Sequence, residues 1–205
     1  MTALRAEKIT AGYGRVPIIR DVSVTVEDGA LAAIVGPNGA GKSTFAKAVC
    51  GVIRSSSGRT FIGDRDLTDL PGHLIARHGL AYVPQNQNVF PSLTVTENLE
   101  MGAFTRKSGV RQRIAEVLDV FPDLRKATGK RAGVLSGGQQ NMLAMARGLM
   151  LDPRVMVLDE PTAGLSPAYT SVVWDQITKI TQTGTAALVI EQNVDRALAG
   201  ARYVY

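Results

Sequence analysis

The 205-residue sequence has little that could form covalent cross-links and no long apolar run. Its single cysteine, Cys50, excludes an intrachain disulfide, and its neighbours Ala48 and Val49 suggest a small buried core residue. No apolar run approaches about 18 residues, so we expect no helix that spans a bilayer. The N-terminal residues lack the apolar region of a signal peptide. We therefore expect a cytoplasmic protein, docked on any membrane only through another protein.

The composition is typical of a globular protein with one domain, or one domain with an inserted lobe. Hydrophobic residues make up 45% and charged residues 20% of the chain. The net charge of +5 would suit nucleotide phosphates, an anionic membrane surface or nucleic acid. Because no block of five like charges occurs, a solvated mixed surface is the simpler interpretation.

A glycine-rich loop dominates the N-terminal third. Residues 36–44 read GPNGAGKST and match the phosphate-loop pattern. The apolar run 31–35 before it predicts a strand, and 45–50 after it predicts a helix. Backbone N–H groups of such a loop and of the helix start bind phosphates; Lys42 would reach the β- and γ-phosphates and Ser43 would bind Mg²⁺. A glycine-rich turn without a ligand is the alternative.

Two further side chains in the N-terminal half could reach a nucleotide. Tyr13 lies between two glycines in a predicted loop, where it would either stack on a base or pack on a turn. Gln85 follows the buried strand 80–83, and ligands of α/β proteins bind at the carboxyl ends of strands. The polar run 55–58 predicts a loop before a strand at 59–62.

The middle of the chain predicts a helical lobe inserted into the α/β core, at about residues 86–150. The residues Ile114, Val117, Leu118 and Phe121 follow the spacing of one helix face. Ser136 and the two glycines after it precede a helix at 140–150. They predict either an anion site or a helix N-cap without a ligand.

Two acidic residues follow the apolar strand 155–158. Burying Asp159 and Glu160 there is costly unless they have a partner or a function. Asp159 would hold Mg²⁺, directly or through water, and Glu160 would act as general base on a water molecule. A salt-bridged structural pair is the alternative. A long helix at 168–182 and a core strand at 185–190 follow, and Glu191-Gln192-Asn193 ends that strand.

In this order and spacing, GPNGAGKST, LSGGQ and VMVLDEPT resemble the ATPase subunit of ABC transporters. The resemblance runs from Tyr13 to the last residue and implies a single ABC ATPase domain over residues 1–205. The fold implied is α/β: a P-loop NTPase core with a mixed sheet and flanking helices, an antiparallel β subdomain and an inserted α-helical subdomain. The family usually continues for another strand and a helical tail, so we expect the chain to be truncated.

The resemblance assigns roles to individual residues. It implies that Glu160, Lys42 and Gln192 are catalytic and that Ser43, Gln85 and Asp159 hold Mg²⁺. It places ATP against Tyr13, Gly36, Pro37, Asn38, Gly39, Ala40, Gly41, Lys42, Ser43, Thr44 and Gln85 and, from the opposite subunit, against the signature residues Ser136, Gly137, Gly138 and Gln139.

The stretch YVPQNQNVFPSLTVTENLEMGAF, the loop EPTAGLSP and the ending VIEQN resemble ATPases of branched-chain amino acid importers. Two departures from most ABC ATPases are familiar in that subfamily. Gln192 replaces the switch histidine, and Ser166 replaces the aspartate of the loop after Glu160. Neither His73 nor His78 is near Gln192 in the sequence.

The resemblance implies a mechanism and its partners. Two ATPase subunits, alike or unlike, would sandwich two ATP molecules, and closure would drive transmembrane permease subunits through a groove near Gln85 and residues 89–91. The chain would lie on the inner face of the cell membrane. A periplasmic binding protein would be an indirect partner, and nucleic acid would not be one.

The same motifs leave rival functions open. Urea or amide importers and lipopolysaccharide exporters use similar ATPases, although we expect a histidine at position 192 in the exporters. ABC ATPases of DNA repair or translation usually carry long coiled-coil insertions or two cassettes, which 205 residues do not accommodate. A regulatory module without turnover fits poorly with Glu160 in place.

Overall fold

The computed structural model describes residues 1–14, 16–86 and 88–205, so that Arg15 and Gln87 lie outside the description. Gln87 belongs to the stretch that carries the subfamily resemblance. The strands, in chain order, are β1 Thr2–Tyr13, β2 Val16–Glu27, β3 Leu31–Val35, β4 Ser55–Ile62, β5 Arg65–Asp66, β6 Leu80–Val83, β7 Val155–Asp159, β8 Ala186–Glu191 and β9 Tyr203–Val204.

The α-helices flank these strands, and a 3₁₀ turn, Ala132–Val134, lies among them. They are α1 Lys42–Val49, α2 Gly72–Arg77, α3 Val95–Gly102, α4 Val110–Val120, α5 Pro122–Arg125, α6 Gly137–Leu149, α7 Pro167–Gln182 and α8 Val194–Gly200. Among the described residues, no helix has the length and apolarity to cross a membrane.

The predicted combination of parallel and antiparallel strands is confirmed, and it is divided between two sheets. One sheet is antiparallel in the order β2-β1-β4-β5, and the other is parallel in the order β6-β7-β8-β3-β9. The chain between β6 and β7 holds helices α3 to α6 and no strand in its described part.

The parallel sheet is buried on both faces. Side chains alternate along β7, so Met156 and Leu158 pack among the helices α3 to α7, while Val155 and Val157 face α1 and the antiparallel sheet. Cys50 lies in the second of these two clusters and is buried as expected, and burial raises the pKa of its thiol.

The prediction of a loop at residues 55–58 is wrong. These residues begin β4, where Ser55 pairs with Ala11 and Ser57 with Thr10 in β1. The run is polar because this end of the strand is largely solvent-exposed. Gly58 has φ 99°, a conformation that favours glycine, and it lies where the β1–β4 register shifts.

The helix and strand limits near the site are otherwise close to the expected ones. The strands predicted at 31–35 and 80–83 have those limits in the structure. Ser136 caps α6: its hydroxyl accepts from the backbone of Gln139, whose side chain in turn accepts from the Ser136 N–H group. Tyr13 was predicted to lie in a loop, but it is the last residue of β1 and pairs with Val16.

Candidate functional site

The glycine-rich loop joins β3 to α1 and has the backbone shape that its glycines permit. Gly39 has φ 84° and Gly41 has φ 91°. A Cβ atom at Gly41 would lie 2.4 Å from a methyl group of Ile19, so both the conformation and the space require glycine there. No side chain of the described residues caps α1. The first N–H groups of this helix are therefore available to an anion.

Lys42 folds back over the loop. Its ammonium group donates to the carbonyl of Gly36 at 2.8 Å and to that of Pro37 at 3.1 Å. The residue is only 7% exposed, although the hydrogen bonds that its ammonium group makes within the described residues all go to backbone carbonyls. A buried cation that neutral carbonyls hold at the loop is well placed to meet an incoming anion.

Ser43 meets Asp159 across the site. The Ser43 hydroxyl donates to Oδ1 of Asp159 at 2.8 Å, and the Tyr82 hydroxyl donates to Oδ2 at 3.0 Å. Asp159 is 3% exposed, so these hydroxyls replace the water that a carboxylate would otherwise bind. Burial, and then the charge of Asp159, raise the pKa of Tyr82, so its hydroxyl stays protonated and donates.

The next carboxylate, Glu160, lies in an unusual backbone conformation between two glutamines. Its φ of 47° is in the left-handed region that non-glycine residues seldom adopt. The amide groups of Gln85 and Gln192 both donate to its Oε2 atom, at 2.8 and 2.7 Å. The structure therefore brings together three of the predicted residues, each from the carboxyl end of a different parallel strand.

Gln85 is not in contact with Asp159 or Ser43 through any described hydrogen bond. Its amide nitrogen faces Glu160, whereas a metal ligand would have to be its oxygen. Of the three predicted metal ligands, Ser43 and Asp159 are the two whose hard oxygen atoms lie within hydrogen-bond distance of each other. The prediction that Gln85 binds a metal ion stays a prediction.

Tyr13 stands at the edge of the site. Its ring is half-exposed, its hydroxyl lies 3.4 Å from the ammonium nitrogen of Lys47, and that nitrogen is 6.0 Å from the ring centroid. Lys47 belongs to α1, the helix that follows the glycine-rich loop. An exposed aromatic face near that helix is compatible with stacking on a base.

The signature residues make local contacts. Besides the cap, the ring of Tyr169 covers Gly138 so closely that a Cβ atom there would lie 2.3 Å from it. Ser166, which replaces the expected aspartate, caps α7 by accepting from the N–H group of Tyr169. Aspartate and serine are both good caps, so the replacement keeps this local function.

Several contacts at and near the site escaped the sequence analysis. Tyr82 was predicted only as part of a strand, yet its hydroxyl reaches Asp159. Asn141 on α6 accepts from the Asn88 amide and donates to the carbonyl of Pro161, each at 3.0 Å. Thr162 donates to the buried Glu191. The only signal in the sequence was the position of Glu191, a charged residue that ends an apolar strand.

Comparison with known proteins identifies relatives over most of the chain. The family model described as "ABC transporter" matches residues 19–163. A probable branched-chain amino acid transport ATP-binding protein of Archaeoglobus fulgidus is 44% identical over 197 residues, 95% of this chain and 84% of that protein. A lipopolysaccharide export system ATP-binding protein of Haemophilus influenzae is 33% identical over 202 residues, 97% of this chain and 83% of that protein.

A similar structure has also been solved. It is the crystal structure of a nucleotide-free ATP-binding cassette from an ABC transporter, with a TM-score of 0.89 and 27% sequence identity. The match covers 100% of this chain and 87% of the solved one. The two sheets and the helices between β6 and β7 therefore form an arrangement that is already known.

Proposed function

Because this chain belongs to the ABC transporter family, we propose that it is the ATP-binding and ATP-hydrolysing subunit of an importer of branched-chain amino acids. The observation that supports this choice of cargo is the 44% identity to a branched-chain amino acid transport ATP-binding protein, compared with 33% identity to a lipopolysaccharide export system ATP-binding protein. The family itself accounts for nucleotide binding and hydrolysis.

The nucleotide would lie between Tyr13 and the glycine-rich loop. The adenine ring would stack on the exposed face of Tyr13, and the phosphates would accept hydrogen bonds from N–H groups of residues 36–44. Lys42 would exchange its contacts with the Gly36 and Pro37 carbonyls for the β- and γ-phosphate oxygens. That exchange replaces neutral partners by charged ones and therefore favours binding.

Ser43 and Asp159 fit a magnesium ion. They present hard oxygen atoms 2.8 Å apart, and one or two carboxylates are the usual protein contribution when phosphates supply other ligands. Once bound, the ion would neutralise charge on the phosphate oxygens. Tyr82 would continue to hold the second oxygen of Asp159 through its own hydrogen bond.

Glu160 would orient the attacking water and accept its proton. Its Oε1 atom has no hydrogen bond among the described residues, whereas Gln85 and Gln192 hold Oε2. The two amides would fix the plane of the carboxylate, so that Oε1 faces the water. Gln192 would therefore act as a neutral donor to this carboxylate.

The working assembly would contain a second ATPase subunit. The signature residues 136–139 start α6 and share no described hydrogen bond with the glycine-rich loop of the same chain. They would instead contact the γ-phosphate of an ATP molecule held by the opposite subunit. ATP would thus bind more tightly to the closed pair than to separate subunits, and hydrolysis would reopen the pair.

A permease segment would dock in an apolar groove beside this site. We define the groove by its exposed apolar side chains Val52, Phe90, Met101 and Phe104. The ring of Tyr82 also lines it, while its hydroxyl holds Asp159, so one residue touches both the groove and the site. A permease in this groove would place the chain on the inner face of the membrane.

The test compares two variants with controls in which the same residue type is changed elsewhere. We expect Lys42→Ala to lose ATP binding, measured with a fluorescent ATP analogue, and the exposed Lys179→Ala to bind normally. We expect Glu160→Gln to bind ATP, to hydrolyse it at least about 100-fold more slowly and to accumulate as a dimer. The exposed Glu100→Gln should hydrolyse ATP normally.

Identifying the cargo requires reconstitution of the chain with candidate permease subunits and a candidate binding protein. Uptake of labelled leucine that depends on ATP would support import. Normal ATP affinity of Lys42→Ala would refute the phosphate-loop role, and wild-type turnover of Glu160→Gln would assign the base to another residue. ATP-dependent uptake of urea or an amide, or stimulation by a lipopolysaccharide exporter instead, would change the cargo and leave the ATPase intact.

A further inference from the structure

Glu191 is a buried carboxylate for which the proposed mechanism has no role. It is the last residue of β8, it is paired with Val35 of β3, and it is 4% exposed. Burying a carboxylate this deeply is unfavourable unless hydrogen bonds replace the water that it loses. Its partners therefore indicate what holds it there.

Both oxygen atoms of Glu191 have a partner in a loop of the site. The Thr162 hydroxyl donates to Oε1 at 2.6 Å, and the N–H group of Gln192 donates to Oε2 at 3.1 Å. Thr162 comes two residues after Glu160, and Gln192 is the residue whose amide holds Glu160. One carboxylate thus ties the loop that follows β7 to the loop that follows β8.

Three hydrogen bonds join the two loops. The Glu160 N–H group donates to the carbonyl of Ile190 at 3.0 Å, which continues the pairing of β7 with β8. Beyond that bond, Gln192 reaches across to Glu160, and Thr162 reaches across to Glu191. The side-chain bonds cross in opposite directions, so neither loop can shift without stretching one of them.

The backbone at Glu160 needs such restraint. A φ of 47° is unfavourable for a non-glycine residue and persists only where neighbouring contacts impose it. The amide that holds Oε2 at 2.7 Å belongs to a side chain whose own main chain is fixed by Glu191. A shift of that main chain would move the amide away from the general base.

We propose that Glu191, together with Thr162, is a positioning residue for hydrolysis. It fixes the main chain of Gln192 and the loop after Glu160, and these in turn fix the carboxylate that activates water. Glu191 acts through its neighbours and does not touch the nucleotide. The inference rests on the proposed ATPase function and concerns the turnover step alone.

The test uses variants that separate the hydrogen bonds from the charge. Glu191→Leu removes both bonds, and Thr162→Val removes one. Glu191→Gln keeps both, because its amide oxygen accepts from the Gln192 N–H group while its amide nitrogen donates to the threonine oxygen. The matched control is Thr185→Val, since Thr185 is a buried threonine next to the other end of β8 whose hydroxyl donates to the Pro153 carbonyl.

The expected result is a loss of kcat without a loss of ATP binding. We expect Glu191→Leu to lower kcat about 10- to 100-fold, the order caused by a small misplacement of a catalytic group, while KM and the Kd for ATP change less than about twofold. Thr162→Val should lower kcat less, and the double variant should be no slower than Glu191→Leu, because both act on one contact. Glu191→Gln and Thr185→Val should stay within about threefold of wild type.

Several outcomes would overturn the inference. These are wild-type kcat in Glu191→Leu, additive losses in the double variant, an equal loss in Thr185→Val, or a fall in ATP affinity that accounts for the lost rate. If Glu191→Leu does not fold, Thr162→Val decides alone, and wild-type kcat there refutes the proposal. Absence of ATPase activity in the wild-type chain with its partners would instead refute the proposed function.

Discussion

Replacing Tyr82 by phenylalanine removes a single oxygen atom from the site and leaves the aromatic ring in the groove. The hydroxyl is one of two that hold the carboxylate of Asp159, which is 3% exposed and has little access to water. Leaving an acceptor of this kind without its donor costs about 1–3 kcal/mol, toward the upper end when the acceptor is charged. We expect Tyr82→Phe to lower the free energy of unfolding by about 2 kcal/mol.

Thermal unfolding measures this loss. For a protein of about this length, 2 kcal/mol corresponds to a fall in Tm of about 4–8 °C. The matched control is Tyr203→Phe, which removes a hydroxyl that donates to Glu27 at 2.9 Å. Because the Glu27 side chain is 42% exposed, water replaces the lost donor, and the expected change in Tm is within about 3 °C.

The same variant tests whether Asp159 binds a metal ion. A cation next to Asp159 would compensate for the lost donor, so the difference in Tm between Tyr82→Phe and wild type should be smaller with ATP and Mg²⁺ than with ATP and EDTA. Equal values of Tm for Tyr82→Phe and Tyr203→Phe would refute the view that Tyr82 holds a buried charge. An equal difference with and without Mg²⁺ would refute the assignment of the metal to Asp159.

Two other substitutions test electrostatics elsewhere. We expect Gln192→His to retain or raise ATPase activity. The activity should also depend on pH between about 5.5 and 7.5, because an imidazole that titrates near 6.5 would replace a neutral donor to Glu160. Complete loss of activity would reveal another role for Gln192. The hydrogen bond from Arg154 holds the pKa of Asp28 below its usual value, so the stability from this pair is present above about pH 4 and is lost as the pH falls through the lower, folded-state pKa. Urea titrations should therefore show that the free energy of unfolding falls less between pH 4 and pH 2 in Asp28→Asn than in wild type. The difference should be at most about 1 kcal/mol, because both side chains of the pair are more than one-third exposed. Equal falls in the free energy of unfolding in the two proteins would contradict this expectation.

The strands that could be predicted are those whose own apolar residues indicate that they are buried. Residues 31–35 and 80–83 are apolar runs bounded by polar or turn-forming residues, and both have the expected limits. Residues 55–58 carry no such signal. They become part of a strand only because Thr10 and Ala11 of β1 supply hydrogen-bond partners more than 40 residues earlier, a relation that local propensity does not contain.

The contacts of the site divide in the same way. Local patterns identified the glycine-rich loop, the capped start of α6 and the acidic pair at the end of β7, because each lies within a few consecutive residues. Tyr82 and Asp159 are 77 residues apart, and Thr162 and Glu191 are 29 residues apart. Only the order of the strands brings these pairs together, and nothing in the surrounding residues marks them as partners.

That strand order also explains why neutral side chains hold Glu160. The strands β6, β7 and β8 lie side by side and parallel, so the residues that follow them meet at one edge of the sheet. Gln85 and Gln192 thus approach Glu160 from both sides, and neither amide changes its charge with pH. The position of the Glu160 carboxylate then depends on where the main chain places these two glutamines. The buried Glu191 fixes the main chain of one of them, Gln192. A loss of turnover in Glu191→Leu that Glu191→Gln does not share would show that this placement, and not the buried charge, sets the rate.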